Sequence, residues 1–240
     1  MEPTDLPSID GMPYVRLLGR LHAILKPRWY LEVGTFRGRS LSRADCNFVA
    51  VDPKFRLQAP PNVSGTADMH FFQKTSDEFF ASGFAKRNDI SFDLAFLDGL
   101  HHFEVLLRDF MNAEQLMSRD GVIALHDCCP TTVEMTSRTM CEDMWTGDVW
   151  KTLLILMRER PDLEFLVTKA APTGLVLIRG LDPDNQVLRE RYDSLVSEFM
   201  PKALDDFEGG VAGYFRQFRL IAPRAALSKL AQEEAPEVVT

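Results

Sequence analysis

The chain has 240 residues, 45% of them hydrophobic, enough for one full-sized core or a core with a small appendage. Acidic residues outnumber basic ones 35 to 27, and the net charge of −8 gives no general pull toward nucleic acid or an anionic membrane. Charged residues are 26% and aromatic residues 10%, the balance of a folded protein. No run approaches the roughly 18 apolar residues that a membrane span needs. The acidic start MEPTDLPSIDG lacks the basic-then-apolar layout of a signal peptide, so a cytoplasmic protein is expected. Cys46, Cys128, Cys129 and Cys141 show no CxxC spacing, which favours reduced thiols over a disulfide framework.

Pro13 opens a helical pattern of Val15, Leu17, Leu18, Leu21, Ile24 and Leu25 that Pro27 stops. Trp29–Val33 and Asn47–Val51 read as strands, with room between them for a very short helix over 40–44. Residues 54–68 hold prolines and little periodicity, and are expected to be loop. Met69–Lys74 reads as a third strand, followed by a short helix with Thr75 and Glu78 at capping-box spacing. Phe92–Leu97 is a strand. Phe103, Leu106, Leu107, Phe110, Met111, Ala113 and Leu116 recur at helical spacing, with Arg108, Asp109, Asn112 and Gln115 on the other side. Val122–Leu125 follows as the next strand. This βαβ unit has near-continuous apolar strands and implies a sheet covered on both faces. Residues 128–146 read as loop and Val149–Arg160 as helix. Leu163–Val167 and Leu175–Ile178 are joined too tightly for a crossover helix and are expected to pair antiparallel. An acidic helix runs from about Asn185 to Met200, and the segment after Ala222 shows no compelling packing face. One doubly wound α/β domain is the expected architecture.

In open parallel sheets ligands collect beyond the carboxyl ends of the strands. Polar groups stand at every such end here: Glu32 with Gly34-Thr35-Phe36-Arg37-Gly38-Arg39-Ser40, then Asp52, Ser76-Asp77, Asp98-Gly99-Leu100-His101 and His126-Asp127. Gly34 permits a tight turn, and Gly38 lets backbone approach a ligand with no Cβ in the way. Neither GxGxxG nor GxxxxGK[ST] is present, which disfavours a dinucleotide cradle or a P-loop. Glu32 suits an ammonium group rather than a phosphate. Asp52 follows Gly34 at nearly the offset of about 20 residues at which a carboxylate takes ribose hydroxyls. The bland alternative is a plain strand–turn–helix with a chance Asp before Pro53.

LEVGTFRGRS resembles the first motif of class I S-adenosylmethionine-dependent methyltransferases, and VDP resembles the acidic end of their second strand. FDLAFLDGLHHFEVLLRDF with DGVIALHDC, and GDVWK further on, are similar to the branch that holds small-molecule O-methyltransferases of the sugar and macrolide type. The resemblance spans Trp29 to Arg179. It implies a Rossmann-like seven-stranded sheet in the order 3-2-1-4-5-7-6 with strand 7 antiparallel. On this reading residues 1–28 form an N-terminal helical cap, 29–222 the methyltransferase domain, and 223–240 a flexible or weakly packed tail. The resemblance implies that Glu32, Gly34, Thr35, Gly38 and Ser40 hold the methionine part of S-adenosyl-L-methionine and Asp52 its ribose. Ser76 and Asp77 would lie against adenine, with Phe55 as an adenine face and Asp98 beside the donor. Two features depart from the family pattern: the first helix is unusually short, and the region before the third strand is proline-broken.

Asp98 and Asp127 end adjacent strands, so their carboxylates can converge on a hard cation. With His126 they form the expected metal set, for Mg²⁺ or, given an imidazole, Mn²⁺. His101, three residues after Asp98, is the expected general base. Related metal-dependent sugar O-methyltransferases carry an acidic pair after strand five where this chain has His126-Asp127. The alternatives are a simple Asp98-Gly99 turn with His101 at a helix start. Cys128 and Cys129 beside His126 invite a zinc or nucleophile reading, disfavoured because adjacent cysteines rarely share a tetrahedral site. Asp143 and Asp148 are candidates to complete a cation site, and Trp150 and Lys151 either floor the acceptor pocket or pack the helix. The expected function is methyl transfer to a small hydroxylated acceptor. A non-catalytic binding or assembly protein keeping the fold is the alternative. No nucleic-acid or membrane partner is expected, and a homodimer is the default on general grounds.

Overall fold

Strands that are apolar at nearly every position must be covered on both faces, and every residue of Trp29–Val33 is indeed buried. The computed structural model describes residues 6–63, 65–140 and 144–233. In chain order it holds α1 (Tyr14–Leu25), β1 (Trp29–Val33), β2 (Asn47–Val51), β3 (Met69–Phe72), α2 (Ser76–Ala81) and α3 (Phe84–Arg87). Next come β4 (Phe92–Leu97), α4 (Phe103–Glu114), β5 (Met117–His126), α5 (Trp150–Glu159), β6 (Glu164–Thr168) and β7 (Leu175–Arg179). The chain closes with α6 (Val187–Phe199), α7 (Gly210–Phe215) and α8 (Pro223–Glu233).

The seven strands form one sheet in the order β3-β2-β1-β4-β5-β7-β6. Pairing is parallel from β3 through to β5, and β7 runs antiparallel to both β5 and β6. This is the predicted topology, including the terminal hairpin. The capping box is present too: Thr75 Oγ1 accepts from Glu78 N at 3.3 Å while Glu78 Oε2 accepts from Thr75 N at 2.9 Å.

The sheet's two faces carry two cores. One gathers Leu31, Val33, Ala95, Leu97, Ile123 and Leu125 under α2, α4, α5 and α6. The other gathers Tyr30, Phe48, Ala50, Phe96 and Ala124 under Leu17, Leu18 and Leu21 of α1 and Ala226 and Leu230 of α8. On this second face the link from β1 to β2 is reduced to a 3-10 turn, Leu41–Arg43, and the described residues between β2 and β3 contain no helix. Helices α1 and α8 supply the missing cover. The expectation of a weakly packed tail therefore fails over 223–233, because Ala226 and Leu230, four residues apart, are buried as one helical stripe. At the sheet's edge the cover is incomplete, and Met69 and Phe71 remain 50% and 43% exposed.

Periodicity missed a second buried feature. Arg160, just after α5, is 1% exposed and grips Glu114 of α4 in a fork of 2.7 and 2.9 Å. A guanidinium removed from water is stable there only with its carboxylate in place. Arg160→Met is expected to lower unfolding free energy by about 3 kcal/mol, with the Glu114→Leu/Arg160→Met double variant recovering part of the loss, both read by urea denaturation.

Candidate active site

Side chains alternate across a strand, so residues two apart share a face. Tyr30, Ala50, Phe96 and Ala124 all lie on the face packed by α1. Two positions on from each stand Glu32, Asp52, Asp98 and His126, the same parity carried to the carboxyl edge. Parallel registry aligns those ends: Glu32 pairs with Ala50 and Phe96 across the sheet, and Phe96 with Ala124. Four polar side chains are thereby delivered to one edge on one side.

Glu32 is fully buried, and its partners are hydroxyls. Tyr30 Oη donates to it at 2.6 Å and Ser40 Oγ at 3.0 Å. Burial pushes its carboxyl up to about 7 despite those bonds. Asp52 accepts from Phe36 N at 2.8 Å and Lys54 N at 2.6 Å, one bond to each oxygen, so each keeps a lone pair. Gly34 has φ +89°, and a Cβ there would stand 1.9 Å from the Asp98 carbonyl oxygen. The bare α-carbon thus seats the exit of β1 against the Asp98-Gly99 turn. Gly38 (φ +71°) serves the chain itself: the space a Cβ would take holds Leu57 Cδ2 at 2.8 Å. Residues 56–58 lie along this loop, with Arg56 N bonding Phe36 O at 2.8 Å and Gln58 N bonding Arg37 O at 3.0 Å. Thr35 is buried next to Gly34.

The expected adenine contacts are spread out. Phe55 packs edge-on to Phe71 at 5.6 Å on the α1 face, whereas Ser76 and Asp77 begin α2 on the opposite face. Asp77 is held by Arg108 through bonds of 3.0 and 2.8 Å.

At the end of β4 and β5 two carboxylates meet two imidazoles. His126 Nδ1 is 3.1 Å from Asp98 Oδ1 and 3.3 Å from Asp127 Oδ1. His101 Nε2 is 3.5 Å from Asp98 Oδ1 and 3.2 Å from Asp127 Oδ2. Thr173, in the β6–β7 hairpin, donates its hydroxyl to Asp127 Oδ1. Burial pulls the His126 imidazole down, but the charges of Asp127 and Asp98 outweigh it and hold the pKa well above the ordinary histidine range. For Asp98 the same balance runs the other way: burial raises it, and His126 and His101 hold it below the usual carboxylate range. Asp98, His101 and Asp127 present ligand atoms within 4.8 Å of one another. The imidazole that joins the two carboxylates in that group is His101's, while His126 braces them from the buried side.

The loop before α5 fixes His101. Its Nδ1 donates to the Trp145 carbonyl at 3.2 Å, and its ring stacks on the Trp145 indole with centroids 4.7 Å apart. Asp148 accepts from Phe103 N at 3.0 Å and pairs with Arg138 and Lys151, which makes it a tie between α4, the loop and α5. Lys151 also bonds Met200 O at 3.1 Å, and Trp150 is buried, so both pack the helix. Asp143 lies outside the described residues. Cys128 and Cys129 are buried, and burial raises both thiols far above the range of a nucleophile. Asp109 corrects the sequence reading, which set it on the polar side of α4. It is 1% exposed, behind Gly99, and burial pushes its carboxyl up to about 7. Tyr14, Trp145 and Thr173 also escaped the sequence reading. The polar groups that close the strands were visible there, but the loops that return to them were not.

Residues 31–128 match the sequence profile of a methyltransferase domain family. The O-methyltransferase TomG from Streptomyces achromogenes, involved in tomaymycin synthesis and solved in complex with SAM, shares the fold at TM-score 0.52 and 17% identity. That match covers 69% of this chain and 78% of TomG. The SAH-bound methyltransferase PaMTH1 from Podospora anserina aligns at TM-score 0.51 and 15% identity, over 70% of this chain and 78% of its own. No curated protein matches the chain in sequence. The strand order is that of the class I S-adenosylmethionine-dependent methyltransferase fold, and residues 31–128, the segment from β1 to the end of β5, are similar to a methyltransferase domain.

Gly147 (φ +59°) lets the Trp145 loop touch His101: a Cβ there would stand 1.8 Å from the His101 carbonyl oxygen. Gly147→Ala is expected to push the loop off His101, lowering the melting temperature by several degrees and shifting tryptophan emission to the red while far-ultraviolet circular dichroism stays unchanged.

Proposed function

We propose that this protein transfers a methyl group from S-adenosyl-L-methionine to the hydroxyl of a small acceptor. The observation that carries the reading is Glu32, a buried carboxylate satisfied only by hydroxyls, on the same strand-end face as Asp52 and Asp98. A carboxylate so desolvated is suited to a cation, and the donor's ammonium is one. Glu32 would hold that ammonium, with Gly34, Thr35, Gly38 and Ser40 forming the loop around it. The free lone pairs of Asp52 would take the ribose hydroxyls. Ser76, Asp77 and Phe55 flank the end of β3, where adenine would lie. When bound, the donor supplies an electrophilic methyl on a sulfonium.

His101 is the proposed proton acceptor for the substrate hydroxyl. The Trp145 carbonyl takes its Nδ1–H, and Nε2 lies against the Asp98 and Asp127 carboxylates, which would stabilise the proton that Nε2 takes up from the hydroxyl. Burial lowers its basicity, and the bond to Asp98 with the charge of Asp127 more than restores it. The same three side chains suit a divalent cation, Mg²⁺ or Mn²⁺, since two carboxylate oxygens and one imidazole nitrogen converge. Asp98, His101 and Asp127 would hold it, with His126 bracing Asp98, and a bound cation would supply a Lewis acid that acidifies the hydroxyl. A coordinated Nε2 has no lone pair left for a proton, so the two roles of His101 exclude each other. Turnover that survives chelation assigns the base, and turnover lost on chelation and restored by Mn²⁺ assigns the cation.

Calorimetry with S-adenosylhomocysteine tests the donor half. Glu32→Gln is expected to weaken binding about tenfold or more, and Asp52→Ala similarly. Because Glu32 titrates near 7 and an ammonium favours its ionised form, wild-type affinity should rise between pH 6 and 8. Below that midpoint, binding should release about one proton per site, seen as a dependence of the heat on buffer ionisation enthalpy. Affinity that is flat across this range would reject the Glu32 assignment. For the chemical half, His101→Ala and Asp127→Ala should cut the formation of S-adenosylhomocysteine in the presence of a panel of phenols and sugars by about 10²-fold or more, with donor-product affinity retained.

A further inference from the structure

Tyr14 is the first residue of α1, and the backbone before it is fastened to the far hairpin. Gly11 N bonds Lys169 O at 2.9 Å, Tyr14 N bonds Ala171 O at 2.9 Å, and Ala171 N bonds Met12 O at 3.2 Å. The approach is close enough that a Cβ on Gly11 would stand 2.4 Å from the Lys169 carbonyl oxygen. The same hairpin supplies Thr173 to Asp127, so one rigid piece of chain positions both a carboxylate of the site and the start of α1.

From that anchor the Tyr14 ring lies on His126 at a centroid distance of 3.9 Å and stacks on Phe96 at 6.0 Å. It therefore stands on the α1 face over the ends of β4 and β5, the side on which Glu32 and Asp98 emerge. Burial, then the charges of Asp98, Asp127 and Glu32, keep the phenol far above its ordinary pKa, so it stays a neutral hydroxyl at any working pH. The ring rests on the His126 imidazole, which offsets part of the charge of Asp98 and Asp127, so what Tyr14 brings to the ends of β4 and β5 is a neutral hydroxyl oxygen and an aromatic face.

We propose that Tyr14 is a donor-site residue that senses the sulfonium, contacting the charged, methyl-bearing end of S-adenosyl-L-methionine and so distinguishing it from S-adenosylhomocysteine. This rests on the donor-binding reading above. The phenol oxygen accepts from the polarised methyl C–H groups, a weak bond in each instance but one that the demethylated product cannot make. The N-terminal helix thereby contributes to ligand choice as well as covering the sheet.

Calorimetric titration of S-adenosyl-L-methionine and S-adenosylhomocysteine, each into wild type, Tyr14→Phe and Tyr14→Leu, tests this. Tyr14→Phe keeps the ring on His126 and should weaken the methylated donor about fivefold while leaving the product within about twofold. Tyr14→Leu, which also removes the ring, should lower the ratio of the two affinities further. Equal losses for both ligands would make Tyr14 a packing residue, and unchanged affinities would place it outside the site. Either result overturns the proposal while the donor site stands. Wild type that binds neither ligand would remove the donor site and the Tyr14 assignment together.

Discussion

Two carboxylates at the ends of neighbouring strands repel each other, by about 4 kcal/mol at 4 Å for an effective dielectric of 20. Asp98 and Asp127 are held in that position by two imidazoles, His126 from the buried side and His101 from the more exposed side. Most of what is unusual in the surrounding backbone serves this arrangement. Asp127 itself adopts φ +60°, in the left-handed region that non-glycine residues rarely enter, which turns its side chain toward His101 and Thr173. Gly34 brings β1 against the Asp98 turn, and Gly147 brings the Trp145 loop against His101.

The fold places that cluster by unequal means on the two faces of the sheet. On one face the helices between strands do the covering, as periodicity predicts. On the other face the usual crossovers are a 3-10 turn and a loop, and α1 and α8 take their place. The exchange puts the first turn of α1 over the ends of β4 and β5, with α8 packed against α1.

The topology was legible because each strand is a short apolar run closed by a polar group, and the tight link at 169–174 forces an antiparallel final pair. The strand-end carboxylates were legible for a related reason: Glu32, Asp52 and Asp98 each stand at the close of an apolar strand, although their sharing of one face emerged only with the strand register. Elements set by tertiary partners were hidden. Asp109 falls on the apparent polar side of α4, yet the turn at Gly99 folds over it. Ala226 and Leu230 form a stripe too thin to register without α1 beside it. Tyr14, Trp145 and Thr173 reach the cluster from positions far away in sequence, and spacing carries no information about such returns. Gly38 was read as room for a ligand, and its absent side chain instead makes room for Leu57.

The central claim is that one cleft joins the Glu32–Asp52 edge to the Asp98–His101–Asp127 cluster. A crystal structure of the full chain with S-adenosylhomocysteine at saturating concentration tests it most directly. The account predicts the amino group against Glu32, the ribose hydroxyls on Asp52 and the sulfur facing the Asp98 cluster. Density for the ligand anywhere else, or a strand-end edge that stays empty while solution binding is saturated, would contradict it.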